Sequence, residues 1–152
     1  MALVLPPGAL AHRFNAERHA IGQQGFEEVA PFVERILGEP ITPTAAFYDT
    51  MDAESEHWLI EIKKRTAKYH YTDKVIQKEG WLIPLSKVKR GYTSDKRVVF
   101  YYFWEQDKTL WELEFHKELF DSLTPAVPWF HKQRQLHYYV HQDHWSLITE
   151  VD

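Results

Sequence analysis

One stretch leaves few folds open. Arg97–Glu105 reads RVVFYYFWE and is apolar or aromatic at every position from Val98 to Trp104. Successive side chains of a strand point to opposite faces, so this run needs cover on both sides of its sheet. The polar turn Gln106-Asp107-Lys108 and a second strand pattern, TLWELEFH at 109–116, follow it and predict a hairpin. A chain of 152 residues can build the covering layers within one domain, residues 1–152, and is too short to argue for two. Aromatic residues make up 15% of the chain, a high share that fits a sheet-rich or recognition-rich fold.

The rest of the chain mixes helix and strand patterns. Phe26, Val29, Ala30, Val33, Ile36 and Leu37 recur at helical spacing until Gly38 stops the run, which predicts a helix over 25–37, with a shorter one at about 13–20. Pro40 and Pro43 lead to a strand at about 44–49, the acid-rich MDAESE forms a turn, and a strand at about 57–66 completes a hairpin. Residues 67–80 have no clean period and read as a loop. Pro84-Leu85-Ser86-Lys87 opens a short helix to about Arg90, with Gly91 as its stop. QLHYYVH at 135–141 reads as one more edge strand.

Charge and composition exclude several functions. A net charge of −4 gives no global attraction to nucleic acid, so any DNA contact has to come from a local basic surface. The absence of cysteine rules out disulfide frameworks and thiolate metal sites and fits a reducing compartment. The opening MALVLPPGAL lacks a basic segment ahead of its apolar run, and no window approaches the roughly 18 apolar residues of a membrane span. A soluble, cytoplasmic protein with no membrane partner is expected.

The chemistry points to WLIEIKKR, residues 58–65, where charges interrupt an apolar strand. Alternation puts Glu61 and Lys63 on one face, about 6.6 Å apart along the strand, close enough to serve one phosphate and its metal ion together. A buried charge needs a partner or a function. A hairpin could bring Asp49, at the end of AAFYD, beside Glu61 and so pair two hard oxygen ligands for Mg²⁺ or Mn²⁺. Asp52 is its rival, assigned to the turn. The bland reading of Glu61 and Lys63 is a same-face ion pair on a solvated sheet.

Asp49 followed by Glu61-Ile62-Lys63, with an acid-bearing helix upstream, resembles the PD-(D/E)XK nuclease superfamily. Within it the pattern is most similar to small stand-alone nuclease-like proteins of phages and large DNA viruses, over about residues 22–115. The resemblance implies an α/β (α+β) fold with a restriction-endonuclease-like core: a helix, a three-stranded meander, a second helix and a further strand, forming a central mixed sheet flanked by helices. It implies a Mg²⁺- or Mn²⁺-dependent deoxyribonuclease in which Asp49 and Glu61 bind the metal and Lys63 orients the attacking water. A first-helix glutamate supports such sites. Glu27 and Glu34 flank the apolar face of that helix while Glu28 points nearly opposite it, so the role goes first to Glu27.

Tyr48 stands where the superfamily often has proline, and its second helix offers only Lys87, Lys89 and Arg90 in place of a common Gln-x-x-x-Tyr pair. Lys64, Arg65 and Lys68, interleaved with Tyr69 and Tyr71, are candidates to hold a phosphate backbone and stack bases, with Lys87 as a further DNA contact. A solvated basic loop is the plain alternative. His141-Gln142-Asp143-His144 has no third ligand and reads as surface histidine. The rival to a nuclease is a noncatalytic nucleic-acid-binding or assembly protein of the same fold. A homodimer is compatible with cutting two strands.

Overall fold

A computed structural model describes residues 26–44, 51–65, 80–128 and 135–148. The first helix, α1, covers 26–37 and ends where Gly38, at φ 73°, donates its N–H to Glu34 O at 2.8 Å. Strands β1 (Thr42–Pro43), β2 (Ala53–Glu54) and β3 (Trp58–Arg65) form an antiparallel meander. Next come β4 (Trp81–Pro84) and α2 (Leu85–Thr93). Strand β5 (Arg97–Trp104) lies parallel to β3 along eight paired residues, and β6 (Thr109–Glu114) returns antiparallel. The chain continues through α3 (Lys117–Asp121), β7 (His137–Val140), a 3₁₀ turn at Gln142–His144 and β8 (Ser146–Leu147).

Among the described residues the main sheet is therefore mixed and six-stranded, in the order β1-β2-β3-β5-β6-β8, while β4 and β7 pair in a separate two-stranded sheet. This is the mixed α/β architecture, with helices flanking a central sheet, that the sequence led us to expect. Strand β5 carries the core on both faces. Val99, Tyr101 and Phe103 pack with Ile60, Ile62 and the α1 residues Val29, Ala30 and Val33. On the other face Val98, Phe100, Tyr102 and Trp104 pack with Leu59, Val88 of α2, Trp81 of β4 and Val140 of β7. Among the described residues no helix is long and apolar enough to cross a membrane.

Three expectations change. The strand that pairs with β3 lies inside MDAESE, which we had read as turn: Ala53 is fully buried opposite Ile60, and the reversal is confined to Ser55–Trp58, where Ser55 N–H donates to Trp58 O at 2.9 Å. The strand expected at 44–49 falls, beyond Thr44, outside the described residues, as do the helix at 13–20 and the loop at 67–79. Strand β4 was not anticipated, because its partner β7 lies more than fifty residues on. Helix α2 runs past Gly91 to Thr93: the Phe115 ring occupies the place of a Cβ at Gly91, so this glycine serves packing and does not end the helix. His141 and His144 are exposed, as expected, and His141 Nδ1 accepts the Asp143 N–H.

The segment after α1 is tied to the β2–β3 turn by Glu39. Its Oε1 accepts the Ser55 hydroxyl and the His57 N–H, and its Oε2 lies 2.8 Å from His57 Nδ1. The His57 contact is the main cause holding the Glu39 carboxyl down at about 2, from an ordinary 4.5, and Glu39 in turn raises His57 above its ordinary 6.5. The lowered carboxyl stabilises the fold above pH 4.5 and loses that effect toward pH 2; the raised imidazole stabilises below 6.5 and loses it at higher pH. The difference in melting temperature between the native chain and Glu39→Gln should accordingly peak between those two ordinary values and narrow on either side. A pH series of thermal melts checks this.

Candidate active site

The site grows from the alternation of β3. Ile60 and Ile62 face α1, whereas Glu61, Lys63 and Arg65 share the face covered by β4 and α2, in register with Phe100, Tyr102 and Trp104 of β5. Continuing the pairing of Ala53 with Ile60 outward by one step puts Asp52 opposite Glu61. Strand β2 stops at Ala53, which would leave the Ile62 N–H without a ladder partner; Asp52 Oδ2 accepts it at 2.8 Å. The same hydrogen bond fixes the carboxylate beside Glu61.

Two carboxyl groups held together away from water cannot both ionise at ordinary pH. Burial, and then the charge of Asp52, push Glu61 up to about 8 from 4.5. Burial also raises Asp52, against the Ile62 N–H, Lys87 and a hydrogen bond shared with Glu61. Glu61 Oε2 is shut off from solvent and has no hydrogen-bond partner. Lys87 Nζ forms an ion pair with it at 3.2 Å, which works against the upward push on the carboxyl. Lys63 is accessible to water, yet protein atoms crowd its ammonium group, and that desolvation together with Arg65 lowers its pKa.

The predicted site residues divide accordingly. Glu61 and Lys63 share the face expected of them. Asp49 lies outside the described residues, and the aspartate seen beside Glu61 is Asp52, the residue we had assigned to the turn. Glu27 is exposed on α1, which docks on the opposite face of the sheet through Val29, Ala30 and Val33, and it does not join a group with Asp52 and Glu61. Lys64 points toward α1 as well, pairing with Glu28 at 2.9 Å and Glu105 at 3.9 Å, so it is turned away from the site. Arg65 remains on the site face. Lys68, Tyr69 and Tyr71 lie outside the described residues. Lys87, expected to touch DNA, stands against Glu61.

No protein-family model matches the chain, and no curated protein matches it. Among solved structures it is similar to that of D212, a nuclease from a fusselovirus, with 16% identity and a TM-score of 0.48 over 95% of this chain and 89% of that one.

The residues present fit a divalent cation. Among the described residues no group of three or more His, Cys, Asp and Glu side chains gathers, so a cation would draw on two carboxylates and on water. Asp52 and Glu61 would be the residues to hold a hard cation, which would relieve the repulsion between the two buried carboxyl groups.

Proposed function

We propose that the chain is a metal-dependent nuclease that hydrolyses DNA phosphodiester bonds at the Asp52–Glu61 pair. The observation that carries this reading is Glu61, buried beside a second carboxylate with the Lys87 ammonium 3.2 Å from its Oε2. A solvated ion pair on a sheet would not leave a carboxyl raised so far. The order of helix, meander, second helix and parallel strand, with Glu61-Ile62-Lys63 on the meander's last strand, further supports the resemblance to PD-(D/E)XK nucleases.

In this mechanism Asp52 and Glu61 would hold Mg²⁺ or Mn²⁺, which would supply Lewis-acid polarisation of the phosphate and acidification of the attacking water. The Ile62 N–H holds Asp52 in place. Lys63, one strand step beyond Glu61, orients the water that adds to phosphorus as the bond to the leaving sugar oxygen breaks. Lys87 offsets negative charge gathered around Glu61.

The test is cleavage of linear, nicked, branched and single-stranded DNA with Mg²⁺, with Mn²⁺ and with EDTA, comparing Asp52→Asn, Asp49→Asn and Lys63→Ala. Cleavage should require the metal and Lys63 and should be lost in Asp52→Asn. Loss in Asp49→Asn with Asp52→Asn intact would move the metal site to Asp49. DNA binding without cleavage under every metal would favour the noncatalytic rival.

A further inference from the structure

We propose that Arg65 is the seat for the phosphate next to the scissile one, so that β3 reads the backbone of a single nucleic-acid strand in steps. The proposal rests on the nuclease reading for the position of the scissile phosphate. Glu61, Lys63 and Arg65 follow one another on one face of β3, each about 6.6 Å from the next. That is comparable to the separation of successive phosphates along an extended strand. Two like charges, Lys63 and Arg65, left side by side on one face of a strand are unfavourable. Among the described residues no carboxylate forms an ion pair with Arg65, whereas the neighbouring Lys64 has two. A phosphate would compensate the guanidinium.

Arg65 is also held in place. Its guanidinium carbon lies 5.5 Å from the centre of the Tyr102 ring, and Nη2 donates to the Tyr102 hydroxyl at 3.4 Å. That hydroxyl in turn donates to Leu82 O, and the Tyr102 ring is buried among Trp81, Trp104 and Trp145. Only one Arg65 donor is used in these contacts, which leaves the fork able to take two phosphate oxygens. A guanidinium anchored on a rigid ring loses little freedom on binding.

The experiment moves a single methylphosphonate, which lacks the phosphate charge, along an oligonucleotide and measures binding by fluorescence anisotropy in EDTA and in Ca²⁺. The native chain, Arg65→Gln and Arg65→Lys are compared. In the native chain one position should weaken binding about tenfold, and in Arg65→Gln that position should have no further effect. Arg65→Gln should also reduce the slope of log affinity against log salt by about 0.7 to 0.9. Arg65→Lys should recover part of the affinity without the full positional effect. Unchanged near-ultraviolet circular dichroism, reporting the Trp81–Tyr102 cluster, confirms that each variant is folded. Equal positional profiles in the native chain and Arg65→Gln overturn the seat, including where cleavage is seen. A matched loss in binding without any cleavage keeps the seat and removes the hydrolytic reading. A native chain that neither binds nor cleaves removes both.

Discussion

Glu61→Gln is expected to reduce DNA cleavage by roughly a thousandfold while raising the melting temperature at alkaline pH. The first effect follows from removing a negative oxygen from the proposed cation site. The second follows from linkage. In the unfolded chain Glu61 ionises near 4.5, whereas in the folded chain burial and Asp52 hold it at about 8. The folded state binds the proton more tightly, so the contribution of this group is most favourable below pH 4.5, declines as pH rises, and levels off above about 8. Glutamine keeps the shape and never ionises. The variant should melt with the native chain at pH 4 and above it at pH 9, by on the order of 5 °C for a domain of this size. Mn²⁺ should raise the native melting temperature at pH 8 through binding to the folded state alone, and should leave Glu61→Gln unmoved. A variant that melts below the native chain at pH 9 would mean that the Lys87 ion pair outweighs the buried repulsion, making Glu61 a structural anion.

How far the sequence disclosed this arrangement depends on the range over which each signal acts. The β5–β6 hairpin and α1 were legible because their causes are local: alternation about a polar turn in one case, helical spacing closed by Gly38 in the other. Glu61 and Lys63 were legible as neighbours for the same reason. Asp52 was misplaced by a question of register. A reversal confined to Ser55–Trp58 puts Asp52 opposite Glu61, whereas a broader turn favours Asp49, and a two-residue strand such as β2 leaves almost no pattern to separate them. Glu27 was chosen from the apolar face of its helix, but which sheet face receives that helix is a tertiary fact. Lys87 reads as one more basic residue until α2 is laid over the face that carries Glu61.

Trp81→Ala should destabilise the fold by about 3 to 5 kcal/mol and should take activity down with it. Trp81 opens β4, and its ring lies 5.0–5.4 Å from those of Tyr102, Trp104, Trp111 and Trp145, joining the two-stranded sheet to the main one. Replacing it leaves a cavity faced by rings from β5, from β6 and from Trp145 after the 3₁₀ turn, which cannot all close inward. The preceding residue, Gly80, sits at φ 97°, where an added Cβ would come within 2.6 Å of the Val140 carbonyl carbon, so the β4 backbone has little room to shift in compensation. Strand β4 runs directly through Pro84 into α2, and the ring supports Tyr102 under Arg65. Loosening Trp81 therefore disturbs Lys87 from one side and Arg65 from the other. Urea denaturation checks the stability, and cleavage measured well below the midpoint separates the two effects: Trp81→Phe, which keeps part of the packing, should fold nearly as well as the native chain and retain most activity. A loss below about 1 kcal/mol for Trp81→Ala would show that the β4–β7 layer contributes little to the cooperative core, and that Lys87 reaches Glu61 without its support.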